Sequence, residues 1–227
     1  MPSPRGTKSR SDRRRILIVD DHAVLREGLV SQINQEPDLV VCGEATTAAE
    51  ALTAIDPCRP DLVLADINLP GRNGLELIRD LRAVRPDLPI LVLSMHDEAV
   101  FAERVLRAGA RGYVSKHQTG QDLIAAIRNV LGGRIHLSGE ASTRLLNTLS
   151  GNQPSAGTLS PVELLTDREL EVFTLIGRAK ETKEISKSLG MSAKTVEAHR
   201  ASIKRKLQVR TGPELTRHAV LWVEAIG

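Results

Sequence analysis

Short apolar runs alternate with amphipathic stripes along the first 131 residues. Ile16-Leu17-Ile18-Val19 is rich in β-branched residues and too short for a helix, so it predicts a buried strand, ending at Asp20-Asp21. Val24, Leu25, Leu29, Val30 and Ile33 then recur at helical spacing. Leu39-Val40-Val41-Cys42 predicts a second strand, and Thr47 precedes a helix carrying Ala51, Leu52 and Ile55 that Pro57 and Pro60 are expected to end. Leu62 to Ala65 is apolar on both faces, as in a central parallel strand covered by helices. It stops at Asp66, with Pro70-Gly71 closing a loop beyond. Leu75, Leu77, Ile78 and Leu81 mark the next helix, and Ile90 to Leu93 a fourth strand ending at Ser94. Val100, Val105 and Leu106 mark a helix with Gly109 as its C-cap. Gly112 to Ser115 is a fifth strand ending at Lys116, followed by a helix over Leu123, Ile124, Ile127, Val130 and Leu131 that Gly132-Gly133 terminates.

Five βα units in this span mean an α/β fold, a doubly wound five-stranded parallel sheet. The pattern does not choose a strand order. With the order 2-1-3-4-5, strands 1 and 3 are neighbours at the switch point, where ligands bind outside the carboxyl ends of the strands. Asp20, Asp21 and Asp66 would then meet in one crevice, with Ser94 and Lys116 lining its other side. Any one of these alone is an ordinary strand-end polar residue; the set has a chemical logic. Clustered carboxylates repel unless a cation joins them. A hard divalent ion such as Mg²⁺ takes oxygen ligands and leaves room for phosphate oxygens. With that ion and an ammonium drawing off charge, Asp66 could attack phosphorus and become an acyl phosphate, with Lys116 and the Ser94 hydroxyl on the phosphoryl oxygens.

The pattern changes after Leu131. Glycines and prolines punctuate residues 132–159, which read as a linker with a short helix over Ala141–Leu149. Residues 160–225 read as a small all-α domain. Thr166-Asp167-Arg168-Glu169 is a capping box, followed by the apolar stripe Leu170, Val172, Phe173, Leu175 and Ile176. A short helix over Lys183–Leu189, the turn Gly190-Met191-Ser192 and a long helix with Thr195, Val196, His199, Ile203 and Leu207 along one side form a helix-turn-helix at about 182–201. Pro213 opens a last helix. The second helix of such a unit enters the major groove of double-stranded DNA by its N-terminal half. Lys183, Lys194, Thr195, Glu197, Ala198, His199, Arg200 and Lys204 are the candidate DNA contacts. Glu197 stands out on a basic helix, because a carboxylate repels phosphate unless it accepts from cytosine N4 or orients a neighbouring arginine.

Charge supports this division of labour. The net charge of +3 is unevenly placed: residues 1–15 carry six basic groups against Asp12, residues 16–131 carry 11 basic and 17 acidic groups, and residues 158–227 carry 12 basic and 9 acidic. An acidic domain followed by one with a basic helix points to separate jobs, the second on nucleic acid. Residues 1–15 read as a basic, disordered, solvated tail; the apolar stretch behind them is too short for a secretory signal. An apolar content of 41% is that of a globular chain, and no apolar run approaches a membrane span. Cys42 and Cys58 lack metal-ligand spacing and fit a reducing compartment, where they would only pack.

Residues 16–131 resemble the receiver domain of bacterial two-component response regulators. The matching residues are Asp20-Asp21, Asp66-Ile67-Asn68-Leu69-Pro70-Gly71-Arg72-Asn73-Gly74, Ser94, and Lys116 after Gly109-Ala110-Arg111-Gly112-Tyr113. Residues 160–225 resemble the LuxR-type (NarL/FixJ-type) DNA-binding domain through Leu165-Thr166-Asp167-Arg168-Glu169-Leu170-Glu171-Val172, Lys183-Glu184-Ile185-Ser186, Leu189 to Arg200, and Lys206-Leu207-Gln208-Val209-Arg210. The resemblance implies that Asp66 is the phosphoacceptor of a cognate sensor histidine kinase. It implies that Asp21, Asp66 and the backbone carbonyl of Asn68 bind Mg²⁺, with Asp20 reaching it through water. Ser94 would move toward the phosphoryl group and Tyr113 would swing inward behind it. It further implies a cytoplasmic, non-enzymatic transcription regulator that binds promoter DNA as a homodimer. The alternative is a DNA-binding regulator whose receiver is a phosphorylation-independent dimerisation module. Departures from the family pattern are His117 where proline often follows the lysine, Ala179 where glycine usually ends the first helix of the second domain, and Thr182 where asparagine is usual. His96, like Asn68, lies two residues past a site residue and could tune loss of the phosphate.

Overall fold

Five parallel strands, β1 (Arg14–Val19), β2 (Leu39–Ala45), β3 (Leu62–Asp66), β4 (Ile90–Ser94) and β5 (Gly112–Ser115), form one sheet in the order β2-β1-β3-β4-β5. This order sets β1 beside β3, with Val19 level with Ala65. The computed structural model describes residues 13–69, 74–95, 98–116, 120–149 and 161–226. It divides into two compact units, 1–137 and 138–227.

Helices α1 (Ala23–Gln35), α2 (Ala48–Cys58), α3 (Gly74–Val84), α4 (Glu98–Ala108) and α5 (Gly120–Leu131) cover the sheet. Alternate strand residues Ile16, Ile18, Leu62, Leu64, Leu91, Leu93 and Val114 pack with Leu29 and Ile33 of α1 and Leu123, Ile127 and Val130 of α5. The intervening strand residues, among them Leu17, Val63, Val92 and Tyr113, are equally buried and face the opposite layer. Both faces are therefore dry, which is why the strands are continuous apolar runs.

Several boundaries differ from the sequence expectation for identifiable reasons. β1 starts two residues before its apolar run because Asp61 accepts from the Arg15 N–H at 2.7 Å and from Arg14 Nη1 at 3.0 Å. β2 runs on to Ala45, with a register shift against Ile16/Leu17 that leaves Cys42 without a partner on β1. Pro57 lies inside α2; the helix ends instead at Arg59, in the left-handed region at φ 41°. A proline in the last turn removes only one helical hydrogen bond. Val24 is 85% exposed and takes no part in the core, whereas Phe101 is fully buried; the side chain of Val100 lies outside the described residues. Residues following α5 return to the sheet edge: His136 N–H donates to Arg111 O at 3.0 Å and His136 O accepts from Tyr113 N–H at 2.9 Å.

The second unit contains α6 (Gly139–Leu149), a 3-10 turn (Pro161–Leu164), α7 (Asp167–Gly177), α8 (Thr182–Ser188), α9 (Ala193–Lys206) and α10 (Gly212–Ile226). α6 begins two residues earlier than expected, with Ser138 Oγ accepting from Ala141 N–H. The capping box forms as predicted: Thr166 Oγ1 accepts from Glu169 N–H and Glu169 Oε2 from Thr166 N–H. Leu170, Phe173, Ile176, Ile185, Val196, Ile203, Leu215 and Ala219 are buried. α7 and α10 approach closely because Gly177 has no side chain; a Cβ there would stand 2.4 Å from Ala219 O. Phe173 and Trp222 stack at a tilt with centroids 5.5 Å apart. Ala179 occupies the left-handed region at φ 58° and closes α7 through its own N–H to Ile176 O and Lys180 N–H to Leu175 O. The turn that glycine usually makes is thus kept, with alanine bearing the strain. Among the described residues no helix is long and apolar enough to cross a membrane.

Candidate functional site

The carboxyl ends of β1, β3 and β4 and the residue after β5 bring Asp20, Asp66, Ser94 and Lys116 together. Asp20 and Asp66 are 1% and 2% exposed and Ser94 is fully buried. Lys116 Nζ lies 2.6 Å from Asp66 Oδ2 and 2.7 Å from Asp20 Oδ2. Its backbone N–H donates to Ser94 O at 2.8 Å, which fixes the end of β5 to the end of β4. Asp66 Oδ1 accepts from Asn68 N–H at 3.0 Å. Asp21 is exposed and its Oδ1 lies 2.8 Å from His22 Nδ1. Tyr113, on β5, is packed inside at 1% exposure, so an inward swing does not start from this conformation. Gly74 packs over the loop after Asp66: a Cβ there would stand 2.5 Å from Ile67 Cα and 2.6 Å from Asp66 O. Pro70 to Asn73, His96 and His117 lie outside the described residues.

Two buried carboxylates face one ammonium, so the site carries excess negative charge. Burial is the main cause that pushes the Asp66 carboxyl up to about 6; the Asp20 charge adds to the rise, while Lys116 and the Asn68 N–H oppose it. For Lys116, burial works against the charged form, but Asp66 and Asp20 outweigh it and the ammonium is held above its ordinary value. Ligand atoms of Asp20, Asp21, His22 and Asp66 all lie within 4.8 Å of one another. Asp20 Oδ2 is buried and makes no hydrogen bond of good geometry, although it is ion-paired to Lys116. Clustered carboxylate oxygens with uncompensated charge are the donor set of a hard divalent cation.

Two contributors escaped the sequence reading. His22 follows the acidic pair directly and donates its N–H to Asp20 Oδ1 at 2.8 Å, a contact that adjacency could have suggested. Arg26, one turn into α1, donates from Nη1 to Asp20 O at 2.8 Å and from Nε to Glu44 Oε2 at 3.0 Å. Nothing in its spacing marks it, because its partners are the residue just after β1 and a residue of β2.

In the second unit α8, a turn at Gly190 (φ 59°) and α9 make the expected helix-turn-helix. Ser192 caps α9, its Oγ accepting from Thr195 N–H at 3.1 Å. Lys183, Lys194, Thr195, Glu197 and Ala198 are exposed, and His199, Arg200 and Lys204 half-buried. Val196 and Ile203 supply the buried stripe, while Thr195, expected beside them, faces outward. Burial pushes the His199 imidazole below its ordinary value, with the Glu169 charge opposing. Glu197 Oε1 accepts from Thr182 Oγ1 at 2.8 Å and lies 3.7 Å from Arg200 Nε. Arg168 ties α7 to the end of α8, donating to buried Glu171 at 2.7 Å and to Leu189 O at 2.6 Å. Lys206 Nζ, at the end of α9, donates to Glu169 Oε2 at 2.6 Å.

Residues 16–128 match the response regulator receiver domain, and residues 163–219 match the luxR family of bacterial regulatory proteins. The chain is 36% identical over 209 residues to the oxygen regulatory protein NreC of Staphylococcus aureus strain JH9, covering 91% of this chain and 96% of that protein. Among solved structures it is similar to a LuxR-family two-component response regulator from Aurantimonas sp., at 35% identity and TM-score 0.57 over 61% of this chain and 99% of that one. It is also similar to RcsB of Salmonella enterica serovar Typhimurium bound to promoter rprA in the presence of the phosphomimetic BeF3⁻, at 25% identity and TM-score 0.60 over 92% of this chain and 98% of that one. The chain belongs to this family: it is a DNA-binding two-component response regulator of the LuxR, or NarL/FixJ, type.

Proposed function

We propose that the protein is a transcription regulator switched by phosphorylation of Asp66, with residues 16–131 as receiver, 132–159 as linker and 160–225 as DNA-binding domain. The observation that carries this reading is the buried Asp66 carboxylate 2.6 Å from an ammonium it shares with Asp20. An Asp66 oxygen attacks the phosphorus of a phosphohistidine on a sensor kinase. The P–N bond breaks, a P–O bond forms, and the imidazole nitrogen keeps the electron pair and takes a proton. Lys116 would exchange Asp66 for a phosphoryl oxygen, and Ser94 Oγ would donate to another. The acidic cluster fits Mg²⁺; Asp21, Asp66 and the carbonyl of Asn68 would hold it, and Asp20 would reach it through water. When bound, the ion neutralises carboxylate and phosphoryl oxygens together. Tyr113 rearranges from inside as Ser94 and Lys116 take up the phosphoryl group, altering the α4–β5–α5 face.

Phosphorylation then shifts a pre-existing equilibrium toward a form that dimerises and binds promoter half-sites about one helical turn apart. Lys194, Thr195, Glu197 and Ala198, at the exposed start of α9, enter the major groove, and Lys183, His199, Arg200 and Lys204 frame it at the phosphates. The setting is cytoplasmic. The test is a DNA-binding titration at fixed salt, comparing untreated protein, protein given acetyl phosphate and Mg²⁺, and Asp66→Asn given the same. Tighter binding for treated wild type alone supports the switch. Equal binding by all three, with Asp66 shown by mass spectrometry to be phosphorylated, would turn the reading to a phosphorylation-independent dimerisation module.

A further inference from the structure

The chain has two cysteines, and the fold brings them together away from the acidic cluster. Cys42 is the bulged residue of β2: Ile16 pairs with Val41 and Leu17 with Gly43, so Cys42 is skipped. A bulge bends its strand and re-aims a side chain. Cys58 is the last residue of α2, and its Sγ lies 3.2 Å from Cys42 O. Gly43 supplies the space, since a Cβ there would stand 2.4 Å from Cys58 Sγ. Burial first, and then the neighbouring Cys58, push the Cys42 thiol up to about 11. Arg15 donates from Nε to Cys58 O at 2.8 Å, and its charge acts in the opposite sense on Cys42. Both cysteines are half-buried, within reach of a small solute.

We propose that Cys42 and Cys58 form an oxidisable dithiol, a modification site for small hydroperoxides whose product is an intramolecular disulfide joining the β2 bulge to the end of α2. The skipped strand residue and the absent Cβ at Gly43 together seat Cys58 Sγ against Cys42. Cys58, at the end of α2, reacts first, since burial holds the Cys42 thiol protonated. The Cys58 sulfur attacks a peroxide oxygen, the O–O bond breaks, and a sulfenic acid forms with release of an alcohol, or of water from hydrogen peroxide. The Cys42 sulfur then attacks that sulfur, the S–O bond breaks and water leaves. In sum two thiols and one peroxide give a disulfide, an alcohol or water, and water; two electrons pass from sulfur to oxygen. The staple closes a short loop and restricts the unfolded chain, so it raises the melting temperature of the first unit by about 5 °C or more.

The test uses the full chain at low concentration, treated with one equivalent of hydrogen peroxide, alkylated and examined by mass spectrometry. The expected result is loss of both free thiols, a mass about 2 Da lower, a cross-linked peptide pair holding Cys42 and Cys58, and reversal by dithiothreitol. Gly43→Ala keeps both cysteines but crowds Cys58 Sγ, and is expected to form the disulfide at least about tenfold more slowly. Should Gly43→Ala fail to fold by circular dichroism, an equimolar mixture of Cys42→Ser and Cys58→Ser replaces it; the mixture is expected to give only slow cross-links between chains. Persistence of both thiols under excess peroxide, wild-type oxidation in Gly43→Ala, or cross-linking in the mixture as fast as in wild type would each overturn the proposal.

Discussion

Replacing Asp66 by Asn should make the first unit more stable while abolishing its chemistry. The side chain is 2% exposed and shares one ammonium with Asp20. Burial, with the Asp20 charge, moves its carboxyl from 3.8 to about 6. Each unit corresponds to about 1.4 kcal/mol, so keeping Asp66 ionised at neutral pH costs the folded state about 3 kcal/mol. The direction follows from proton counting. Between about pH 4 and about pH 6 the folded chain binds more protons than the unfolded chain, so stability falls as pH rises through that window and stays low above it. Asn removes the charge, leaves Lys116 paired with Asp20, and retains an oxygen for the Asn68 N–H. The expected gain in metal-free buffer is about 2–3 kcal/mol at neutral pH, shrinking toward zero near pH 4. The assay is urea unfolding with chelator present. The only tyrosine, Tyr113, is buried in the first unit and the only tryptophan, Trp222, lies in the second, so two optical signals separate the transitions. An Asn variant no more stable than wild type at neutral pH, or a gain independent of pH, would refute the assignment of excess buried charge.

Three further outcomes follow from particular contacts. Gly74→Ala places a Cβ against Ile67 Cα and Asp66 O, both backbone; labelling by acetyl phosphate should slow by about tenfold or more with helix content unchanged, since misplacement by a fraction of an ångström is costly to reactivity. Ala179→Gly relieves the left-handed φ of 58°, and the net of steric relief and unfolded-chain entropy should stabilise the second unit by about 0.5 kcal/mol, measured by Trp222 fluorescence in urea. Thr182→Val removes the hydroxyl that holds Glu197; the ratio of specific to non-specific DNA binding should fall about fivefold with the salt slope unchanged, because no phosphate contact is lost.

What was legible in the sequence was whatever depended on periodicity or on a strand's last residue. Asp20, Asp66, Ser94 and Lys116 each follow an apolar run, and the order β2-β1-β3-β4-β5 gathers them at one end of the sheet. The caps at Thr166 and Ser192 are local hydrogen bonds and were equally readable. Pairings between distant segments were not. Arg26 meets Asp20 O and Glu44 from a helix whose own pattern says nothing of them. The Cys42 bulge exists only relative to β1. His136, expected within the linker, bonds through its backbone to Tyr113 on β5 and to Arg111 just before it, for which side-chain pattern gives no signal. Val24 fits the helical stripe in sequence yet is 85% exposed, because α1 turns a narrower face to the sheet than its apolar positions allow.

The two units treat buried charge in opposite ways, and acid should separate them. In the first, two buried carboxylates share Lys116, and the Asp66 carboxyl rises to about 6. In the second, each buried carboxylate has its own cation: Arg168 for Glu171 and Lys206 for Glu169. Burial alone would raise the Glu169 carboxyl, but hydrogen bonds from Lys206, Ser202 and Thr166 outweigh it and hold it down to about 2. A lowered carboxyl contributes stability that is complete above about pH 4.5 and is lost as pH falls toward about 2, here on the order of 3 kcal/mol. On acidification the first unit therefore gains stability between about pH 6 and pH 4, where the second is unchanged; below that the second loses what fixes α9 to α7. The Trp222 transition should move to lower urea before the Tyr113 transition does, and Glu169→Gln should remove most of the acid sensitivity of the former. Loss of both signals together, or of Tyr113 first, would mean that the ion pairs around Glu169 do not govern the acid limit. Uncompensated buried charge thus marks the acidic cluster of the first unit, and matched charge marks the contacts that hold α7 to α8 and α9.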